Sequence, residues 1–182
     1  MKEGKGGFDR LRPNRVYGAN WMTDLAKARL IALLAPAALL GGAFGSQYLG
    51  GLYPCEMCWW QRYPHEAAIV LALLAYGLSG QPRWSRALVF LAAIAIAVSG
   101  AIGVFHAGVE YKWWEGLTTC SRGPSAANAD ELLKAILAAP VVRCDQPQWT
   151  LFGISLAGFN ALFSFAAAIA IWTLLARGRR TA

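Results

Sequence analysis

Four long apolar runs leave this chain few folds to choose from. Roughly Arg29 to Leu49, Trp59 to Leu78, Arg86 to Ala107 and Leu151 to Ala176 are rich in Leu, Ile, Val, Ala and Phe. Each is close to the ~20 residues that cross a ~30 Å hydrocarbon core as a helix. In a chain of 182 residues, 57% hydrophobic and only 15% charged, such runs predict an all-α, four-helix transmembrane bundle and not a soluble core. The second run reaches span length only by including the polar stretch "WWQRYPHE", Trp59 to Glu66. That stretch is therefore expected at the headgroup level.

The net charge of +7 could suggest nucleic acid, but its distribution argues for a topology signal and no nucleic-acid partner. Lys2, Lys5, Arg10, Arg12, Arg15, Lys27 and Arg29 precede the first run, Arg83 and Arg86 lie between the second and third, and Arg177, Arg179 and Arg180 follow the last. The other side carries only Lys112, Arg122, Lys134 and Arg143, diluted by six acidic residues. The positive-inside rule puts both termini in the cytoplasm and two loops, about 50–58 and 108–148, outside. About 28 polar or mixed residues stand before a run of full span length, unlike a cleavable signal peptide, so the first span is expected to be retained. Residues 1–28 are read as a largely disordered cytoplasmic tail, 29–176 as the four-span membrane domain, and 177–182 as a basic cytoplasmic end.

All four cysteines fall on the predicted outer side, where disulfides persist. Of three possible pairings, the CxxC spacing favours Cys55 with Cys58, leaving Cys120 with Cys144. Between the latter, Asn128 followed by Glu131 resembles a helix-capping box, Pro140 supplies a stop, and Leu132, Leu133, Ile136 and Leu137 form an apolar stripe. A short amphipathic helix is expected there, on the membrane surface or packed on the other loop. Trp113, Trp114 and Trp149 read as interfacial anchors.

A Cys120–Cys144 bridge closes a loop of about 25 residues and would stabilise the fold by roughly 3 to 4 kcal/mol. A CxxC bridge closes almost no loop, so it points to redox or metal chemistry. Metal is the weaker option, because the second pair lacks ribbon spacing and the compartment is oxidising. If a helix begins near Cys58, Arg62 lies one turn on and on the same face, so both the helix N-terminus and the guanidinium would favour a thiolate there. Pro64 fits a helix start nearby. His65, Glu66 and Glu110 read as solvated or hydrogen-bonded interfacial groups. His106 is placed to meet Arg62 across the bundle, giving one neutral and one cationic donor to a flat ring bearing carbonyls.

"CEMC" followed by "WWQR", "FHAGVEYKWWEG" after the third run, and a cysteine pair in the long loop resemble the DsbB family, over nearly the whole chain from about Lys27. The resemblance implies a bacterial inner-membrane oxidase that regenerates a periplasmic, thioredoxin-fold DsbA-like partner and passes electrons to ubiquinone or menaquinone. It makes Cys55 and Cys58 the quinone-coupled pair, Cys120 and Cys144 the partner-facing pair, and Arg62 and His106 quinone contacts. The potentials known for that system explain the quinone. DsbA lies near −120 mV and structural disulfides below about −300 mV, so an ordinary disulfide falls short by roughly 180 mV, about 8 kcal/mol for two electrons. A vitamin K epoxide reductase-like protein would place its loop pair before a late CxxC, the reverse of the order here. A non-catalytic protein with two structural disulfides is the remaining rival.

Overall fold

The computed structural model describes residues 14–118, 128–138 and 142–180. The apolar runs form four long helices, α1 (Asn14–Tyr48), α2 (Glu56–Gly77), α3 (Pro82–Glu110) and, after a short helix α4 (Ala129–Ala138) and two short strands, α5 (Leu156–Arg180). Helix α3 packs against both α2 and α5, α1 closes the ring against α5 and α2, and α1 and α3 lie on a diagonal.

The packing is that of a protein in lipid. Ala28, Ala32, Ala68, Ala72, Ala75, Ala92, Ala93 and Ala168 are fully buried at the centre, whereas Leu30, Leu34, Val70, Leu73, Phe90, Leu91, Val98, Leu162 and Ile169 are exposed on the flanks. Where the solvent is itself apolar, large side chains gain nothing by moving inward, and small ones let backbones approach. The seam between α3 and α5 shows how closely. A Cβ on Gly103 would stand 2.9 Å from the Ala157 carbonyl oxygen and 3.1 Å from Asn160 Nδ2. Gly103→Ala is therefore expected to destabilise the bundle by about 1–3 kcal/mol through overpacking. This outweighs the gain of about 1 kcal/mol in helix propensity. Thermal unfolding in detergent checks it, and an unchanged or raised midpoint contradicts the close seam.

Among the described residues, three helices are long and apolar enough to cross a membrane, over Met22–Tyr48, Pro82–Glu110 and Leu156–Arg177. That is one fewer than the sequence pattern predicted. Helix α2 has the length, about 33 Å for its 22 residues, but "EMCWWQRYPHE" at its start keeps its hydropathy below that of the others.

The boundaries differ in three further places. Helix α1 begins at Asn14, so part of the segment expected to be a disordered tail is helical, while residues 1–13 lie outside the description. Helix α2 begins at Glu56, near Cys58 as expected but ahead of the Trp59 run, which puts Pro64 in its interior, where the missing N–H leaves the Trp60 carbonyl without its helical donor. The last run does not become helical at Leu151. Thr150–Leu151 (β1) and Ile154–Ser155 (β2) pair as an antiparallel hairpin, Thr150 opposite Ser155. Its two-residue turn has Phe152 at φ 52° and Gly153 at φ 76°, the paired positive φ of a type I′ turn. Tyr111 pins this hairpin to the end of α3, its hydroxyl donating to the Gly153 carbonyl at 2.7 Å and accepting from the Ser155 amide at 2.9 Å.

Helix α4 forms where the capping residues predicted it. The Asn128 side-chain oxygen accepts from the Glu131 amide at 2.9 Å, and Leu132, Leu133 and Leu137 are exposed.

Candidate functional site

Pro54 brings the chain out of the first connection in extended conformation, and Cys55 becomes the N-cap of α2, with φ −79° and ψ 176°. Its sulfur takes the place of the usual capping oxygen and accepts the Cys58 amide at 3.3 Å. Cys55 and Cys58 are free thiols with sulfurs 2.8 Å apart. The helix end thus favours charge on Cys55 Sγ as well as Cys58, a partner one turn on. Two stronger effects oppose it at Cys55: its hydrogen bond to the Cys58 sulfur, and then burial, push this thiol far above the ordinary range. Cys55 is the member of the pair that keeps its proton.

His106, on α3, faces the pair with Nε2 at 3.6 Å from Cys55 Sγ. Its tautomer follows from its neighbours. Gln61 Nε2 donates to the Met57 carbonyl at 3.2 Å and lies 2.8 Å from His106 Nδ1. A carbonyl only accepts, so the amide nitrogen must be on that side, and Nδ1 must offer its lone pair. The ring hydrogen therefore sits on Nε2 and is aimed at the sulfur. Glu110, one turn further along α3, brings Oε1 to 3.8 Å from the same nitrogen, while its Oε2 is buried without a hydrogen-bond partner among the described residues.

The network continues inward. Gln61 Oε1 accepts from Asn160 Nδ2 at 2.9 Å, and the same Nδ2 donates to the Ser99 carbonyl at 3.2 Å. Asn160 Oδ1 faces His65 Nε2 at 2.9 Å and accepts from the Ser164 hydroxyl at 3.2 Å. Residues on α2, α3 and α5 are thereby tied together in the apolar interior, where each such group would be costly without partners.

Arg62 is 6% exposed. It donates to Gln47 Oε1 at 2.7 Å and to the Ala43 carbonyl at 3.2 Å, and its guanidinium carbon lies 4.8 Å from the Phe44 ring centre and 4.7 Å from that of Trp59. Helix α1 supplies most of this cradle. Cys55, Cys58, Arg62, His65, His106 and Glu110 line a single cavity of about 260 Å³, closed by Leu40 and Ala43 of α1, Asn160 and Phe163 of α5 and the segment around Arg143 to Trp149. Two of its lining residues, Ala38 and Phe163, are exposed on the flank of the bundle. Glu66 is exposed and does not line the cavity.

Cys144 is disulfide-bonded and fully buried. It packs in one small cluster with Cys55, Met57 and Val109, accepts from the Thr118 hydroxyl at 3.5 Å, and its backbone is within reach of His106. Cys120 lies outside the described residues. The next residue, Asp145, clamps this segment: it accepts two bonds from Arg143, at 2.8 and 2.6 Å, and one from Lys112 at 2.5 Å. The Arg143 hydrogen bond, with Lys112 adding to it, holds the Asp145 carboxyl well below the usual range. A depressed carboxylate stabilises the fold above its unfolded pKa and loses that contribution as pH falls through the folded value. The clamp therefore persists below the ordinary carboxylate range, though its half-exposed cations leave it partly screened by salt.

Cys55, Cys58 and His106 place three ligand atoms within 4.8 Å of one another, a spacing a soft divalent metal would accept. The tautomer does not suit one. A metal-bound histidine presents a lone pair to the ion and donates from its other nitrogen, whereas here the nitrogen facing the sulfurs carries the hydrogen and the other accepts.

Comparison with known proteins agrees with this cysteine-centred site. The family model described as "Disulfide bond formation protein DsbB" matches residues 26–174. The chain belongs to the DsbB family. Among curated DsbB relatives, the disulfide bond formation protein B of Acidovorax sp. (strain JS42) is 30% identical over 170 residues, covering 90% of this chain and 95% of that protein. Those of Azoarcus sp. (strain BH72) and Verminephrobacter eiseniae (strain EF01-2) are 32% and 30% identical, covering 78% and 90% of this chain and 87% and 93% of theirs. No solved structure matches. This DsbB-family chain is a membrane protein of disulfide bond formation.

Sequence reasoning brought together Cys55, Cys58, Arg62 and His106, and the structure places them around one cavity. It passed over Gln47, Gln61 and Asn160. Asn160 did carry a signal, a polar side chain alone in the apolar run "SLAGFNALFSF".

Proposed function

We propose that this chain is a quinone-reducing protein-disulfide oxidoreductase, which reoxidises a periplasmic DsbA-like dithiol and delivers the electrons to the membrane quinone pool. One observation carries the reading. The CxxC pair lines a cavity whose lining includes Ala38 and Phe163, both exposed on the bundle's flank, while the disulfide-bonded Cys144 packs against Cys55 from the loop side. The CxxC thus stands between a loop disulfide and a lipid-accessible cavity. A cavity of about 150 Å³ is enough to hold benzene, so about 260 Å³ suits one substituted ring, with an isoprenoid tail left in lipid.

The chain's own residues then divide the work. With Cys120 as the partner of Cys144, a DsbA-type thiolate attacks Cys120, forming a mixed disulfide and releasing Cys144 as a thiolate. When Cys55 and Cys58 are joined, Cys144 attacks Cys55 and expels Cys58 as the leaving thiolate. A second thiol of the DsbA-like partner resolves the mixed bond at Cys120, and the freed Cys120 thiolate attacks Cys144, re-forming the loop disulfide and releasing Cys55. Arg62, held by Gln47 and Ala43, keeps unused N–H donors for a ring carbonyl, and His106 presents its Nε2–H beside Cys55. A quinone held in the cavity would supply the acceptor for the two electrons and two protons released when Cys55 and Cys58 re-form their bond. Oxidation of reduced DsbA by the purified protein, dependent on added quinone, tests the assignment. No quinone consumption would end it.

In this reading α2 is the fourth span, both termini are cytoplasmic, the cysteine-bearing end is periplasmic, and α4 rests on the membrane surface. Cysteines introduced at Gly80 and Ser125 are expected to react with an impermeant label from opposite sides of the inner membrane. Labelling from one side for both contradicts this topology.

A further inference from the structure

His65 is the buried titratable group that the relay leaves unused. It is 2% exposed, it lines the same cavity as Cys58, and its Nδ1 is buried with no hydrogen-bond partner among the described residues. A histidine in the bundle interior with one nitrogen hydrogen-bonded and the other without a partner among the described residues calls for a ligand.

The network fixes what kind. Asn160 Nδ2 donates to the Ser99 carbonyl, which can only accept, so Asn160 must present its oxygen to His65 Nε2 at 2.9 Å. That nitrogen therefore carries the hydrogen of the neutral ring, and Nδ1 is a bare acceptor. An acceptor is satisfied only by a donor. The carbonyl oxygens of an oxidised quinone offer none, whereas the hydroxyls of a hydroquinone do. Arg62 and His65 are three residues apart on one face of α2, about 4.5 Å along its axis, so a single ring can meet both.

We infer that His65 is a ligand-binding residue that accepts a hydrogen bond from a hydroxyl of the reduced, hydroquinone form of the electron acceptor, so that the cavity holds the reduced form more tightly than the oxidised one. The inference rests on the quinone reading above and adds a direction to it. Arg62 serves either redox form, because hydroquinone oxygens also accept. His65 Nδ1 serves only the reduced one. Differential binding of this kind favours transfer of electrons out of the thiols, since whatever binds the product better than the reactant shifts the equilibrium toward it.

The experiment uses the full-length protein in detergent with Cys55 and Cys58 replaced by serine, so that no electrons exchange. A decyl-substituted benzoquinone and its hydroquinone are titrated separately under anaerobic conditions, read by tryptophan fluorescence and calorimetry. The hydroquinone is expected to bind about fivefold tighter or more, as one satisfied buried acceptor implies. His65→Phe keeps a ring of similar size, and Asn160 Oδ1 keeps its bond from Ser164. This variant is expected to lower hydroquinone affinity about five- to tenfold and leave quinone affinity within twofold. Equal losses for both probes would mark His65 as merely structural, and no loss would remove it from the site; either result overturns the inference. If the variant does not fold, the wild-type preference decides, and equal affinities reject the inference. A protein that binds neither probe overturns the quinone reading itself.

Discussion

Cys144→Ser is expected to accumulate a mixed disulfide between Cys120 and reduced DsbA, visible as a single shifted band on a non-reducing gel. On the proposed relay Cys144 is the internal nucleophile, so its loss strands the partner on Cys120. Cys55→Ser or Cys58→Ser is expected to leave at most one stoichiometric oxidation by the loop pair and to abolish quinone-dependent turnover, a loss of at least a hundredfold in steady-state rate. Two structural bridges forecast something else, in which each substitution lowers stability and traps no partner. Catalytic turnover persisting in Cys120→Ser, with nothing trapped by Cys144→Ser, would overturn the relay.

Arg62→Met is expected to raise the apparent quinone KM tenfold or more with the bundle still folded. The size follows from removing a charged donor at a buried site, where such a hydrogen bond contributes about 1.5–3 kcal/mol. The geometry adds a second forecast. Arg62 spans Gln47 and Ala43 with two different nitrogens while lying between the Phe44 and Trp59 rings. A lysine ammonium cannot reproduce that planar fork. Arg62→Lys is therefore expected to resemble Arg62→Met and not wild type. Kinetics unchanged across a wide range of quinone concentrations would remove Arg62 from the site.

What was legible in the sequence divides along a physical line. Three of the four spans, the capping of α4 and the grouping of Cys55, Cys58 and Arg62 all depend on near neighbours in the chain, where spacing maps directly onto a helix face. Gln61 touches His106 from 45 residues away and Asn160 from 99, and no spacing rule announces such pairs. The misplaced starts have local causes that a hydropathy reading blurs. Leu151 to Ser155 are apolar enough to extend a span, yet the left-handed pair at Phe152 and Gly153 folds them into a hairpin. The start of α2 was set by the Cys55 sulfur acting as a cap, a role that residue-type preferences assign to oxygen. Membership of the DsbB family rests on the match over residues 26–174, and the tautomers of His65 and His106 emerged only from three-dimensional contacts.

That sulfur cap ties the helix end to the chemistry. The Cys58 amide donates to a sulfur whose electron density changes whenever the pair gains or loses electrons. A thiol or thiolate is a better acceptor than a sulfur drawn into a disulfide, so oxidation weakens the bond that closes the first turn of α2. The start of this helix is in effect a redox gauge written in backbone hydrogen bonding. Deuterium uptake at the Cys58 amide would report it, slow when the pair is reduced and faster when it is oxidised, in a protein whose remaining helices exchange at the same rate in both states.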